Sequence, residues 1–135
     1  MIQFSADLEI NVPQIDQQHR ELFSRINRVI ALGAKSVSKE ETDKTLKLLS
    51  DYVVMHFRDE EALQRQSNFP KMEWHKEQHR LYIENLNKIK QEYEKNGPSV
   101  QFTLQLNKSI IDWIVKHIRS ADTELGKFLN SQNRP

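Results

Sequence analysis

The chain contains no cysteine. Disulfides, thiolate-bound zinc and iron–sulfur clusters are thereby excluded, the thiol nucleophile is missing, and any metal must be held by nitrogen and oxygen. Glycine and proline are scarce, three and four in 135 residues, and they do not recur at the spacing of about 8–12 residues that a chain of short strands needs for its turns. Long apolar runs are lacking too, since no stretch approaches the roughly 18 apolar residues of a membrane span. The opening residues, Met1-Ile2-Gln3-Phe4-Ser5-Ala6-Asp7, carry no basic region ahead of an apolar one, so a cytoplasmic protein without membrane association is expected. Neither sign of charge dominates: 20 Lys and Arg against 19 Asp and Glu leave a net +1, scattered along the chain, and a nucleic-acid partner has no electrostatic support.

What punctuation exists divides the chain into four long segments. The first helix is expected to open near Asp16, in the cap or first turn, and to stop around Gly33, a residue suited to the left-handed C-terminal position. Ser38 with Glu41 reads as a capping box for the second, which runs to the break at Ser67-Asn68-Phe69-Pro70. The third begins at or just past Pro70 and stops before Asn96-Gly97-Pro98, and Ser99 caps a fourth that runs to about Leu129. Connections this short make consecutive helices antiparallel. The expected fold is all-α, an up-down-up-down four-helix bundle (16–130) preceded by an extended arm (1–15), in a single domain.

Each segment has an inward stripe at alternating spacings of three and four. The first is Ile15, His19, Leu22, Ile26 and Val29; the second is Leu46, Leu49, Val53, His56, Glu60 and Leu63. The third is Met72, His75, His79, Tyr82, Leu86 and Ile89, and the fourth is Leu106, Ile110, Trp113 and His117. All five histidines therefore fall on seams where leucine belongs. A lone histidine there is usually a core residue satisfied by a neighbour, but with about a third of helical positions on the stripe, five of five by chance has a likelihood on the order of a few in a thousand. Glu60 is harder to explain without a partner, because an ionised carboxylate in an apolar core costs several kcal/mol unless paired or bound to metal. Asp59 and Glu61, on other faces of the same helix, read as solvated.

His56/Glu60 and His75/His79 are both i, i+4 pairs, so each projects two ligand types from one helix face. Lys76 follows His75 where a zincin requires glutamate, which disfavours metalloprotease chemistry. The paired Glu-x-x-His elements of ferritin-like carboxylate sites are absent as well. After His117 the regular seam position is Ala121, whereas the acid, Asp122, comes at i+5. If Asp122 belongs to the site, either its side chain reaches back or the helix widens into a π-turn, a feature frequent at functional sites.

The segments Val12-Pro13-Gln14-Ile15-Asp16-Gln17-Gln18-His19-Arg20-Glu21-Leu22, His56-Phe57-Arg58-Asp59-Glu60-Glu61, His75-Lys76-Glu77-Gln78-His79 and Trp113-Ile114-Val115-Lys116-His117-Ile118 with Asp122 resemble hemerythrin in its short bacterial form. The resemblance spans nearly the whole chain. It implies a non-haem di-iron centre that binds dioxygen reversibly for storage, delivery or sensing, in an oxygen-binding protein rather than an enzyme. It further implies that His75, His79 and His117 hold one iron, that His19 and His56 hold the other, and that Glu60, Asp122 and an oxide or hydroxide bridge them. Three imidazoles with three bridges make six ligands, and two imidazoles with the same bridges make five, which leaves one iron an open position. Leu22, Phe57, Trp113, Ile114 and Ile118 match the apolar wall of the family's oxygen pocket, and plain core packing is true of them as well. A di-iron enzyme reducing nitric oxide or peroxide would use the same ligands and stands as the alternative, and a protein partner for delivery or signalling is unspecified. Two departures are visible. Phe4 stands near where bacterial members commonly carry a tryptophan, and Leu125 stands three residues after Asp122 where some members have tyrosine.

Overall fold

Four long helices account for the fold, as the punctuation predicts. The computed structural model describes residues 3–33, 39–97 and 99–132. The first three helices are Pro13–Gly33, Lys39–Ser67 and Met72–Asn96. The fourth covers 100–132 as a continuous rod of changing pitch. It is α-helical over Val100–Leu106, Asp112–His117 and Thr123–Gln132, and π-helical over Asn107–Ile111 and Ile118–Asp122. The first helix packs on the second and fourth, and the third packs on the same two, the closed arrangement of a four-helix bundle. Among the described residues no helix is long and apolar enough to cross a membrane.

Local chemistry explains the boundaries. The first helix begins at Pro13, three residues before the expected start, because proline at the first helical position forfeits only an amide that would be unpaired anyway. Asp16 therefore sits inside the first turn and caps nothing; its Oδ1 accepts the Ile10 N–H at 2.8 Å and ties the arm to the helix. The second helix ends through Asn68, in the left-handed region at φ 58, with Phe69 N–H donating to the Gln64 carbonyl at 2.9 Å. Gly97, at φ 70, closes the third helix with its N–H on the Tyr93 carbonyl at 2.7 Å. Ser99 caps the fourth as expected, its Oγ accepting the Phe102 N–H at 3.0 Å. The proposed box at Ser38 and the chain beyond Gly33 lie outside the described residues, as does the side chain of Leu106.

The seams are buried except at Leu63, Met72 and Trp113, which are half-buried; at the end of the second helix Gln64 takes the inward position expected of Leu63. Ile15, Leu22, Ile26, Val29, Leu49, Val53, Tyr82 and Ile110 have no exposed surface, and Leu46, Leu86 and Ile89 nearly none. At about 1.5–3 kcal/mol for each large apolar side chain removed from water, this stripe drives assembly and can offset the burial of the polar residues that share it. The arm is extended apart from one turn of 3-10 helix at Ala6–Leu8, and it buries Leu8 and Ile10. Gly126 makes that docking possible. A Cβ there would lie 2.8 Å from the Ile10 Cβ and closer still to its carbonyl oxygen. Gly126→Ala should therefore displace the arm and cost about 1–3 kcal/mol, readable as a lower denaturation midpoint in urea; an unchanged midpoint would mean the arm yields freely.

Candidate metal centre

The inward seams deliver seven polar side chains to one place. His19 comes from the first helix, His56 and Glu60 from the second, His75 and His79 from the third, and His117 and Asp122 from the fourth. None is more than 4% exposed. Asp122 arrives through the π-turn that its i+5 spacing anticipates: Ile118–Asp122 is π-helical, and Thr123 Oγ1 donates to the Ile118 carbonyl five residues back at 2.7 Å. The second π segment, Asn107–Ile111, has no counterpart in the sequence reading.

Each carboxylate divides its two oxygens between two histidine groups. Glu60 Oε1 lies 2.9 Å from His75 Nε2 and 3.0 Å from His79 Nε2, while its Oε2 lies 3.5 Å from His56 Nε2 and 3.9 Å from His19 Nε2. Asp122 Oδ1 lies 2.8 Å from His75 Nε2 and 3.1 Å from His117 Nε2, and its Oδ2 lies 3.1 Å from His19 Nε2. His75 Nε2 and His117 Nε2 approach to 3.0 Å. One atom from each of Glu60, His75, His79, His117 and Asp122 falls within 4.8 Å of all the others, and so does one from each of His19, His56 and Glu60. Both groups can hold a cation.

The family follows from comparison. Residues 11–129 match the model of the hemerythrin HHE cation binding domain. The chain belongs to the hemerythrin family. A bacteriohemerythrin of Methylococcus capsulatus is 27% identical over 127 residues, covering 94% of this chain and 95% of that protein. A hemerythrin-like protein of Naegleria gruberi is 34% identical over 109 residues, covering 81% and 77%. A solved wild-type hemerythrin superposes with a TM-score of 0.82 at 27% identity, covering 96% and 97%.

In this chain the outer ring nitrogens show how the histidines are aimed. Gln18 Oε1 accepts from His56 Nδ1 at 2.7 Å, and Gln18 Nε2 donates to Asp59 Oδ2 at 2.9 Å. Glu61 Oε2 accepts from His79 Nδ1 at 3.0 Å. A ring whose Nδ1–H is engaged presents Nε2 as a lone-pair donor to a metal. Asp59 and Glu61 are therefore not plainly solvated, as their sequence positions suggest: they orient the site. Gln18 precedes His19 but serves His56 on another helix, a contact that no spacing within one segment reveals. Glu61→Ala should weaken metal binding by about 10–100-fold while leaving helix content intact, measured by competition with a chelator; unchanged affinity would make the Glu61 contact incidental.

Two of the residues expected to wall a pocket lie against the imidazoles. Phe57 stacks on His79 with centroids 3.8 Å apart, and Trp113 stacks on His117 at 4.6 Å. Leu22, Phe57, Ile114 and Ile118 are buried, Trp113 is half-buried, and Tyr82, read only as a seam residue, touches both aromatic rings. Phe4 docks its ring 5.6 Å from Phe23 and 6.4 Å from His19, and Leu125 is fully buried.

The acids and bases of the cluster shift one another against the cost of burial. Burial and the Asp122 charge push the Glu60 carboxyl up, but hydrogen bonds from His75 and His79 outweigh them and bring it to about 2. Burial likewise opposes the Asp122 anion, yet His117, His19 and His75 hold it well below the usual carboxylate range. The same pairs act on the bases: against burial, Asp122 and Glu60 raise His75 to about 9, and carboxylate contacts raise His19 and His79. His56, where burial dominates, falls to about 4. Even so, His19 Nε2, His56 Nε2, Glu60 Oε2 and Asp122 Oδ2 are buried without an aligned hydrogen-bond partner among the described residues. These unsatisfied lone pairs converge on the His19–His56 side and suit a cation there, and the crowded nitrogens and oxygens of the His75–His79–His117 side can hold a second. Imidazole with carboxylate and no sulfur suits iron, zinc or copper, and sharing two carboxylates is unlike the closed four-coordinate sites of structural zinc.

Proposed function

We propose that this protein holds two iron ions and binds dioxygen reversibly at them, for oxygen storage, delivery or sensing. The observation that carries the reading is the division of Glu60 and Asp122, each with one oxygen toward His75 and the other toward His19. On this reading His75, His79 and His117 would hold one iron, His19 and His56 would hold the other, and Glu60 and Asp122 would serve both. The side with two imidazoles is one protein ligand short, which is where a small ligand binds. The iron pair, when bound, supplies two electrons to dioxygen and recovers them on release.

The side chains do the rest. Leu22, Phe57, Ile114 and Ile118, with Trp113 at the rim, exclude water from the ligand position and keep it poor in protons. Gln18 and Glu61 fix the tautomers of His56 and His79. The stacked rings of Phe57 and Trp113 hold His79 and His117 in place. The test is to reduce the iron-loaded protein anaerobically, add dioxygen, follow the visible absorption, and then sweep with inert gas. Return to the colourless reduced form supports an oxygen carrier. Steady consumption of dioxygen, peroxide or nitric oxide with a reductant at enzymatic rates would replace this reading with a reductase.

A further inference from the structure

Gln64 lies on the second helix at i+4 from Glu60 and is fully buried. Neither its amide nitrogen nor its amide oxygen has a hydrogen-bond partner among the described residues. A primary amide carries two N–H donors and a carbonyl acceptor, and leaving both ends dry and unpaired forfeits their hydration with no return. Helix termination does not require this side chain, because it is the Gln64 backbone carbonyl that accepts the Phe69 N–H at 2.9 Å. A leucine or methionine would fill the same buried position without that penalty. The polar end therefore calls for a partner beyond the described residues.

The direction of the side chain identifies it. Helical side chains tilt toward the N-terminus, so a long residue at i+4 covers the turn that carries residue i. For Gln64 that turn carries Glu60, whose Oε2 is itself buried without an aligned partner. Across the connection, Phe69, bonded to the Gln64 backbone, has its ring 6.2 Å from the His75 ring. Gln64 is thus flanked by Glu60 on its own helix and by the layer of His75 on the next.

We propose that Gln64 is a positioning residue of the metal centre, its amide N–H donating to the oxygen ligands that the two metals share on the Glu60 side. The inference rests on the di-iron reading. A donor at a shared oxygen draws electron density from it, weakens its donation to the ferric ions and so favours the reduced pair. Apolar replacement should have the opposite effect.

The experiment uses the full chain loaded with iron, as wild type, Gln64→Met, which keeps length and removes the amide, and Gln64→Asn, which keeps the amide but withdraws it by one methylene. Both variants should retain two irons and their helix content. Both should show a shifted visible absorption of the diferric form and an equilibrium constant for reduction about tenfold lower in a redox titration. Wild-type absorption and potential in either iron-loaded variant would overturn the inference and leave Gln64 a core residue, with the di-iron reading untouched. A wild-type chain that takes up no iron would fail before any variant is made, and the inference would fall with it. Should Gln64→Met lose iron, Gln64→Asn decides: a spectrum and potential equal to wild type reject the role, and a shifted pair supports it.

Discussion

Replacing Glu60 by alanine should abolish uptake of the metal pair while leaving the bundle folded. Glu60 is the residue that both candidate cation groups share, with Oε1 at 2.9–3.0 Å from His75 and His79 and Oε2 turned to His56 and His19. Its loss removes one ligand from each site and half of the carboxylate charge that separates two cations at close range. Altering a residue that only orients a ligand weakens binding by about 10–100-fold, so removing a shared ligand should exceed about 100-fold. Helix formation does not depend on it, since the apolar seams drive assembly and a buried carboxylate is a poor source of stability. Elemental analysis should find well under one iron per chain beside an unchanged far-ultraviolet circular dichroism spectrum. Retention of two irons would show that the shared carboxylate has been assigned wrongly.

The second large effect is an opposite pH response of the metal-stripped and metal-loaded forms. His75 is raised from 6.5 to about 9 in the folded chain by Asp122 and Glu60 against burial. Its contribution is therefore fully present below pH 6.5 and lost as pH rises through about 9. His19 and His79 shift in the same direction. His56, lowered to about 4 by burial, acts in the other window: below 6.5 the unfolded chain binds its proton more readily, and stability falls toward pH 4. Metal-stripped protein should be most stable near pH 6.5 and lose on the order of 3 kcal/mol by pH 9 from His75 alone. Metal must displace the protons on these rings, so binding should tighten over the same range. Melting temperatures of both forms at pH 6.5 and 9 check this. A metal-stripped form that melts higher at pH 9 would mean that His75 is neutral in the fold.

Much of this was legible in the residues, for identifiable reasons. The seams repeat every three or four residues, so a histidine or glutamate on them betrays burial by position alone. The i+5 step from His117 to Asp122 does not let an undistorted helix face both inward, which left a side chain reaching back or a π-turn, and the helix has the π-turn. What stayed hidden depends on contacts between helices or on competing local uses of one residue. Asp16 suits a cap and a first turn equally, and only the Ile10 amide bonded to it decides which. Gln18, Asp59 and Glu61 look like ordinary surface polars because their partners sit on a different segment or a different face. Nothing in Asn107–Ile111 marks a π segment, since no charged residue there is drawn off the helical period to an interior position.

The widened turn at Ile118–Asp122 also sets the phase of everything after it. One surplus residue in a helix rotates the following chain by about 100° relative to an uninterrupted one. Gly126, whose bare Cα admits the Ile10 backbone, lies four residues beyond Asp122 and inherits that rotation. Wound as a regular helix with no residue removed, this stretch would swing the Asp122 carboxylate away from His75 and turn Gly126 from the arm in the same movement, whereas excising one of the exposed residues Arg119 and Ser120 would bring the acid to i+4 from His117 and leave both on their present faces. The seating of the N-terminal arm and the last carboxylate of the cluster are thus two readings of a single register, held in phase by the one surplus residue that the widened turn absorbs.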